Sequence, residues 1–195
     1  MARTIAKDHD EKRVGIRVAA ARIFASQGVD RASMSAIAKA CGVSKALIYH
    51  YYDNKAELLF DILECHLQGL NAVVDAVPPQ PARAYLGAVV EEILLAYAGA
   101  DDLHRILMNS RDVLSREQQG LINALQRRLI GKVSAAIAAV EPGLAGDEKK
   151  LYAVTMSLFG MTNWYFLWSR SADAGQRRRY ARLVASLFLD GVAAV

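Results

Sequence analysis

Ser33-Met-Ser-Ala-Ile-Ala-Lys-Ala-Cys-Gly-Val-Ser-Lys-Ala-Leu-Ile-Tyr-His-Tyr-Tyr-Asp-Asn-Lys55 is the stretch on which the reading of this chain turns. Ser33 is placed to cap a helix, because its hydroxyl can accept a backbone N–H of the first turn. Ile37, Ala38 and Cys41 then form one small apolar face at helical spacing. Gly42 stands where that helix must end, at a position needing the left-handed backbone that glycine adopts at little cost. Val43 plugs the turn and Ser44 caps a second helix, in which Leu47 and Ile48 face inward with Tyr51 one turn further on. Lys45, Ala46, Tyr49 and His50 project outward, and Ala46 is small enough to let the helix backbone approach a partner closely. The spacing predicts a helix-turn-helix, a device that lays its second helix in the DNA major groove. An ordinary helical hairpin with a glycine cap has the same outline. Polarity on the outer face of the second helix only, with Lys55 beyond it, favours the DNA-reading arrangement.

Charge points the same way. Residues 1–55 hold ten Lys/Arg against five acids, and residues 56–195 hold fourteen against fifteen, so the net charge of +4 lies in the first quarter of the chain. Positive charge gathered in one place releases counterions from DNA phosphates and supplies sequence-independent affinity. A hydrophobic content of 53% is ample for a core and lies outside the disordered range. The polar, charged N-terminus is not a secretory signal. Cys41 and Cys65 show no metal-ligand spacing and read as reduced core residues of a cytoplasmic protein. Leu151 to Trp168 carries no charge over 18 residues, but its Thr155, Ser157, Thr162 and Asn163 favour a buried or interface helix over a membrane span.

Helical patterning dominates the whole length, and the chain reads as all-α. Helices are expected over 9–28, over the hairpin 33–52, over 54–76 with Asp53 as cap, and over 82–99, 101–109, 116–140, 147–170 and 175–193. Pro78, Pro79 and Pro81 break the chain after the fourth of these, and Pro142-Gly143 precedes a helix that Asp147 can cap. The division is drawn between residues 1–53 as the DNA-binding part and 54–195 as the remainder, with the 54–76 helix touching both.

Ile16 to Phe24 with Gly28, Ser33-Met-Ser-Ala-Ile-Ala, Gly42-Val-Ser-Lys, Leu47-Ile-Tyr-His-Tyr-Tyr and Lys55-Ala-Glu-Leu-Leu together resemble the tetracycline-repressor (TetR) family of transcriptional regulators. The resemblance implies about nine helices, an N-terminal three-helix DNA-binding domain and a C-terminal helical domain for ligand binding and dimerisation. It implies a homodimeric repressor on a palindromic operator in double-stranded DNA, released by a small effector. By resemblance, Ser33, Tyr49 and Lys55 hold phosphates, Ser44, Lys45, Ala46 and His50 face the groove, and Tyr51 lies at its edge. Two departures stand out: residue 46 is Ala where the family often has Gly, and Ala36 supplies no acid to complete a capping box with Ser33. The last two helices are implied to form the dimer interface, a role that suits Leu151, Val154, Leu158, Tyr180, Val184, Leu187 and Phe188.

Leu158 to Trp168 with the helix after it is similar to a branch that responds to acyl-CoA thioesters. Trp164 and Trp168 are four apart and share a helix face; they read either as packing or as a flat wall against an acyl or aryl group. His104, Arg105, Met108, Asn109 and Arg111 bridge the two parts; the arginines read either as a solvated helix face or as the cations that the phosphates of a CoA-like effector need, Arg105 first. Arg177-Arg-Arg179 reads as a solvated start to the last helix, or as a run that meets a partner's acids. Two rival functions remain beside the ligand-responsive regulator. One is a DNA-binding protein without an effector. The other is a small helical enzyme, which finds no support in four scattered histidines and the lack of a phosphate-cradling glycine loop. No cofactor, metal or catalytic residue is expected.

Overall fold

The computed structural model describes residues 2–100, 102–103, 106–107, 111–169 and 172–192, with residues 2–8, 10, 111 and 166 described by their backbone alone. It is all-α: α1 (Ala2–Gln27), α2 (Met34–Cys41), α3 (Lys45–Tyr51), α4 (Lys55–Asp75), α5 (Ala82–Ala96), α6 (Arg116–Val140), α7 (Glu148–Asn163), α8 (Tyr165–Trp168) and α9 (Ala174–Val192). Short 3-10 turns cover Arg111–Val113 and Pro142–Gly146. Two compact units form, one from residues 1–66 and 102–123, the other from 67–101 and 124–195. The boundary between them therefore falls after His66, inside α4, and the first unit also takes in a later segment. Residues 101, 104–105 and 108–109 of the helix expected over 101–109 lie outside the described residues.

In the first unit, α1 packs on α2 and α2 on α3. Ile16, Ala20 and Phe24 of α1, Met34, Ile37 and Ala38 of α2, Ile48 of α3 and Leu58, Leu59, Ile62 and Leu63 of α4 are buried. Each large aliphatic side chain of this set contributes roughly 1.5–3 kcal/mol by leaving water. Ile48 is the one fully buried side chain within α3, with Leu47 and Tyr51 partly covered beside it.

The second unit is built around α9 lying on α5 and α7. Val89, Val90, Ile93 and Leu94 of α5 meet the inward stripe of α9, Ala181, Val184 and Phe188. Arg177, expected as a solvated residue, is buried: it donates to the carbonyls of Leu94 and Ala172, and its guanidinium lies 5.6 Å from the Tyr165 ring centre. Lys132 closes the end of α4, its ammonium 2.7 Å from Asp75 and 3.0 Å from the Asn71 carbonyl oxygen. Among the described residues, no helix is long and apolar enough to cross a membrane.

Candidate nucleic-acid interface

The hairpin is held by the residues its sequence singled out. The Ser33 hydroxyl accepts the Ala36 N–H at 3.0 Å and the Ser44 hydroxyl accepts the Leu47 N–H at 3.1 Å. Each oxygen keeps its own O–H available as a donor. Gly42 adopts φ 66° and ψ 27°, and its N–H closes back on α2. The next cap departs from expectation: α4 begins at Lys55, so Asn54 and not Asp53 is the cap. Asn54 Oδ1 accepts the Glu57 N–H at 3.0 Å, and the Glu57 carboxylate accepts the Asp53 N–H at 2.9 Å. An acid three residues into the helix made the later start the better satisfied one.

Around Ile48, the outer surface of α3 is polar. Ser44, Lys45, Ala46, Tyr49 and His50 are all exposed, as is Ser33 at the start of α2. The Lys45 ammonium lies 5.7 Å from the centre of the Tyr49 ring, which braces a flexible cation over an aromatic face. His50 meets Tyr51 edge-on at 5.6 Å, and the His9 ring lies 4.5 Å from Tyr51, tilted 40° to it. Tyr51 is therefore a half-buried bridge between α1 and α3. The inward aromatic is its neighbour Tyr52, which is 4% exposed.

Lys55 is engaged within the chain. Its ammonium donates to the carbonyls of Val29 and Asp30 at 2.8 Å each, tying the start of α4 to the loop after α1. A lysine has three donors, so one remains for a phosphate. Arg13 and Arg17 are engaged as well, both meeting Asp61. The Arg13 fork spans the carboxylate, with Nη2–Oδ1 at 2.7 Å and Nε–Oδ2 at 3.2 Å. Arg17 Nη1 reaches Oδ2 at 3.3 Å, and the Tyr52 hydroxyl donates to the same oxygen at 2.5 Å. Charge counted to residue 55 thus overstated the outward field, since extending the count to His66 lowers the excess from five to two. This cluster around the buried Asp61 was not foreseen. The signal was present in Leu58-Leu59-Phe60-Asp61-Ile62-Leu63, where one carboxylate interrupts an apolar run and needs partners.

Of the residues expected to meet an effector, Arg105, Met108 and Asn109 lie outside the described residues. Trp164 and Trp168 do not share one unbroken helix, because α7 ends at Asn163 and Trp164 forms a turn before α8. The helix expected over 147–170 is divided there. Thr162 bonds back to the carbonyls of Leu158 and Phe159, a local alternative that loosens a helix end. Both tryptophans are exposed, and Trp168 stands edge-on to Tyr165 and Tyr180, which stack on each other at 4.2 Å. Beyond the end of α4 a cleft of about 270 Å³ is lined by Val73, Ala76, Val77, Pro78, Ala88 and Glu92.

The expected dimer stripe separates into two. Leu158, Val184 and Phe188 are buried inside the chain, Leu151, Val154 and Tyr180 are partly covered, and Leu187 is 62% exposed. The apolar residues that do face outward on α7 and α9 are Tyr152, Met156, Leu183 and Leu187. Leu158, Val184 and Phe188 are buried on flanks of α7 and α9 next to these exposed residues and pack the core of the unit. Periodicity locates an apolar stripe, but a helix with two stripes does not say which one is covered by its own chain. Cys65, expected in a core, is exposed; Cys41 is partly covered, and burial pushes its thiol pKa up.

Comparison with known proteins bears on this arrangement. Residues 16–62 match the family described as bacterial regulatory proteins, tetR family, and residues 79–192 match the tetracyclin repressor-like C-terminal domain. The transcriptional repressor SCO4008 of Streptomyces coelicolor is 27% identical over 159 residues, 82% of this chain and 80% of that protein. The transcriptional activator FasR of Mycolicibacterium smegmatis is 36% identical over 61 residues, 31% of this chain; that match spans only 28% of FasR. A TetR-family transcriptional regulator from Bordetella parapertussis superposes with a TM-score of 0.85 at 31% identity, covering 94% of this chain and 96% of the other. AibR, solved in complex with isovaleryl coenzyme A and operator DNA, shares the fold with a TM-score of 0.74 at 21% identity, covering 90% and 97%. Matched along both its DNA-binding and its C-terminal segments, the chain belongs to the TetR family of bacterial transcription regulators.

Proposed function

We propose that this protein is a homodimeric repressor that binds a near-palindromic operator and is released by a small effector, an acyl-CoA thioester in the first instance. The observation that carries the DNA-reading part is the outer surface of α3. Lys45, Ala46, Tyr49 and His50 surround one buried anchor, Ile48, on a helix capped at its start by Ser44. That geometry presents an imidazole and an ammonium to base edges while Ser33, Tyr49 and the third donor of Lys55 reach phosphates. Twofold symmetry of the dimer sets the half-sites roughly 34–36 Å apart.

The exposed apolar faces of α7 and α9 support the dimer, for Tyr152, Met156, Leu183 and Leu187 make a hydrophobic band that a second copy would cover. For the effector, resemblance to the acyl-CoA-responsive branch supplies the class, and AibR is a protein of this fold that holds such a thioester together with DNA. The cleft beside Val77 is not its place. Its volume lies below the roughly 300–1,000 Å³ usual for ligand sites, and Glu92 has the wrong sign for CoA phosphates.

Selection from a randomised duplex library tests the reading. The wild-type protein is expected to return a palindrome, and His50→Ala to relax one base position in each half-site. The same consensus from both proteins would remove His50 from base reading. Added isovaleryl-CoA should weaken binding to the selected duplex, typically by about 5- to 150-fold for coupled sites. Tighter binding would indicate a corepressor, and no change would exclude that thioester.

A further inference from the structure

We infer that Asp61 is a positioning residue for DNA reading, orienting the recognition helix α3 through Tyr52 and fixing it to α1 through Arg13 and Arg17. The inference rests on the DNA-binding role proposed above and adds the residue that sets the angle of the reading surface. The case begins with what holds α3: Ile48 in the core, Leu47 and Tyr51 partly covered, and Tyr51 against His9 of α1. The helix is seven residues long and contributes Ile48 alone to the core. Apolar burial is non-directional, so Ile48 and the partly covered Leu47 resist removal of the helix more than they fix its angle. Hydrogen bonds supply direction.

They converge on one carboxylate. Tyr52 is the C-terminal cap of α3, bonded through its N–H to the Ile48 carbonyl, so its side chain is continuous with the end of the recognition helix. Its hydroxyl donates to Asp61 Oδ2 at 2.5 Å, and Arg13 and Arg17 fill the remaining acceptor positions from α1. Asp61 is 8% exposed, so water competes little for the Tyr52 bond, while Arg13 reaches the carboxylate from a side chain that is 44% exposed. Arg13 Nε also lies 3.4 Å from the Tyr52 hydroxyl, closing the ring of contacts. Three elements, α1, the end of α3 and α4, are thereby joined at one residue. Base discrimination demands placement of side chains within fractions of an ångström, and residues outside the contact set supply it by locking the elements that carry the contacts.

Tyr52→Phe and Asp61→Asn test this directly, alone and together, on the full chain. The readouts are affinity for the duplex selected by the wild type, affinity for an unrelated duplex at low salt, and the thermal midpoint. Each single variant is expected to weaken the selected duplex by about tenfold while leaving the unrelated duplex within about twofold. The double variant should lose no more than the worse single one, because both act at one joint. Equal loss on both duplexes, tracking a fall in thermal midpoint, would assign the cluster to stability alone and overturn the inference. So would unchanged binding to the selected duplex. Tyr52→Phe removes only a hydroxyl, so it carries the test if Asp61→Asn does not fold. A wild type that selects no sequence at all would overturn the DNA-reading role itself, a result distinct from either failure.

Discussion

At the scale of single residues, Tyr52 ties alkaline stability to the DNA-binding unit. Burial first, and then the hydrogen bond to Asp61, push its phenol from the ordinary 10.0 up to about 12, while Arg13 pulls the other way. A phenol with a raised value holds its proton more tightly folded than unfolded. Its contribution is therefore complete below pH 10.0 and drains away as pH climbs towards about 12. Tyr97 and Tyr180 are shifted upward by burial too, so the wild-type decline belongs to several residues. The difference between wild type and Tyr52→Phe isolates one of them. Urea midpoints taken across this range should converge as pH rises, the variant losing less than the wild type. Parallel curves would mean that the Tyr52 phenol is not held neutral by its surroundings.

At the scale of elements, two glycines make the same substitution run in opposite directions. Gly42 holds φ 66° at the end of α2, and a Cβ there would meet nothing within 4 Å, so the cost of alanine is purely conformational. Gly42→Ala should destabilise by about 1 kcal/mol. Gly15 is exposed in the middle of α1, again with open space around it, and Gly15→Ala should stabilise by about 0.5–1 kcal/mol. Equal signs in a denaturant titration would contradict this account of the turn. The same contrast explains what could be read from the sequence. Caps and turns are local, so Ser33, Gly42, Ser44 and Asp147 were legible from one residue and its near neighbours. Even there Asn54 displaced Asp53, because the Glu57 side chain rewarded the later start. Long-range pairing was not legible. That Asp61 collects Arg13, Arg17 and Tyr52 from as far as 48 positions away depends on how α1 and α4 pack, which no periodicity encodes.

At the scale of the whole molecule, the proposed dimer can be decided by two adjacent residues. Leu187 is 62% exposed and Phe188 only 7% exposed, although both were expected at the interface. Replacing Leu187 with Glu alters no contact of the chain's own core, so an isolated chain should tolerate it within about 0.5 kcal/mol. In a dimer it buries a carboxylate against Met156, Leu183 and their counterparts, a cost that unpaired charge makes large. Light scattering should then show half the wild-type mass. Affinity for a palindromic duplex should fall steeply, since a single half-site forfeits the second set of contacts. Phe188→Ala instead opens a cavity against α5 and should cost about 3–5 kcal/mol of folding stability, with the mass of whatever remains folded unchanged. If Phe188→Ala halved the mass while Leu187→Glu left it intact, the inward stripe of α9 would be the one that meets a second copy. The packing of α9 on α5 would then have to open on assembly, and the helices carrying the interface would differ from those proposed.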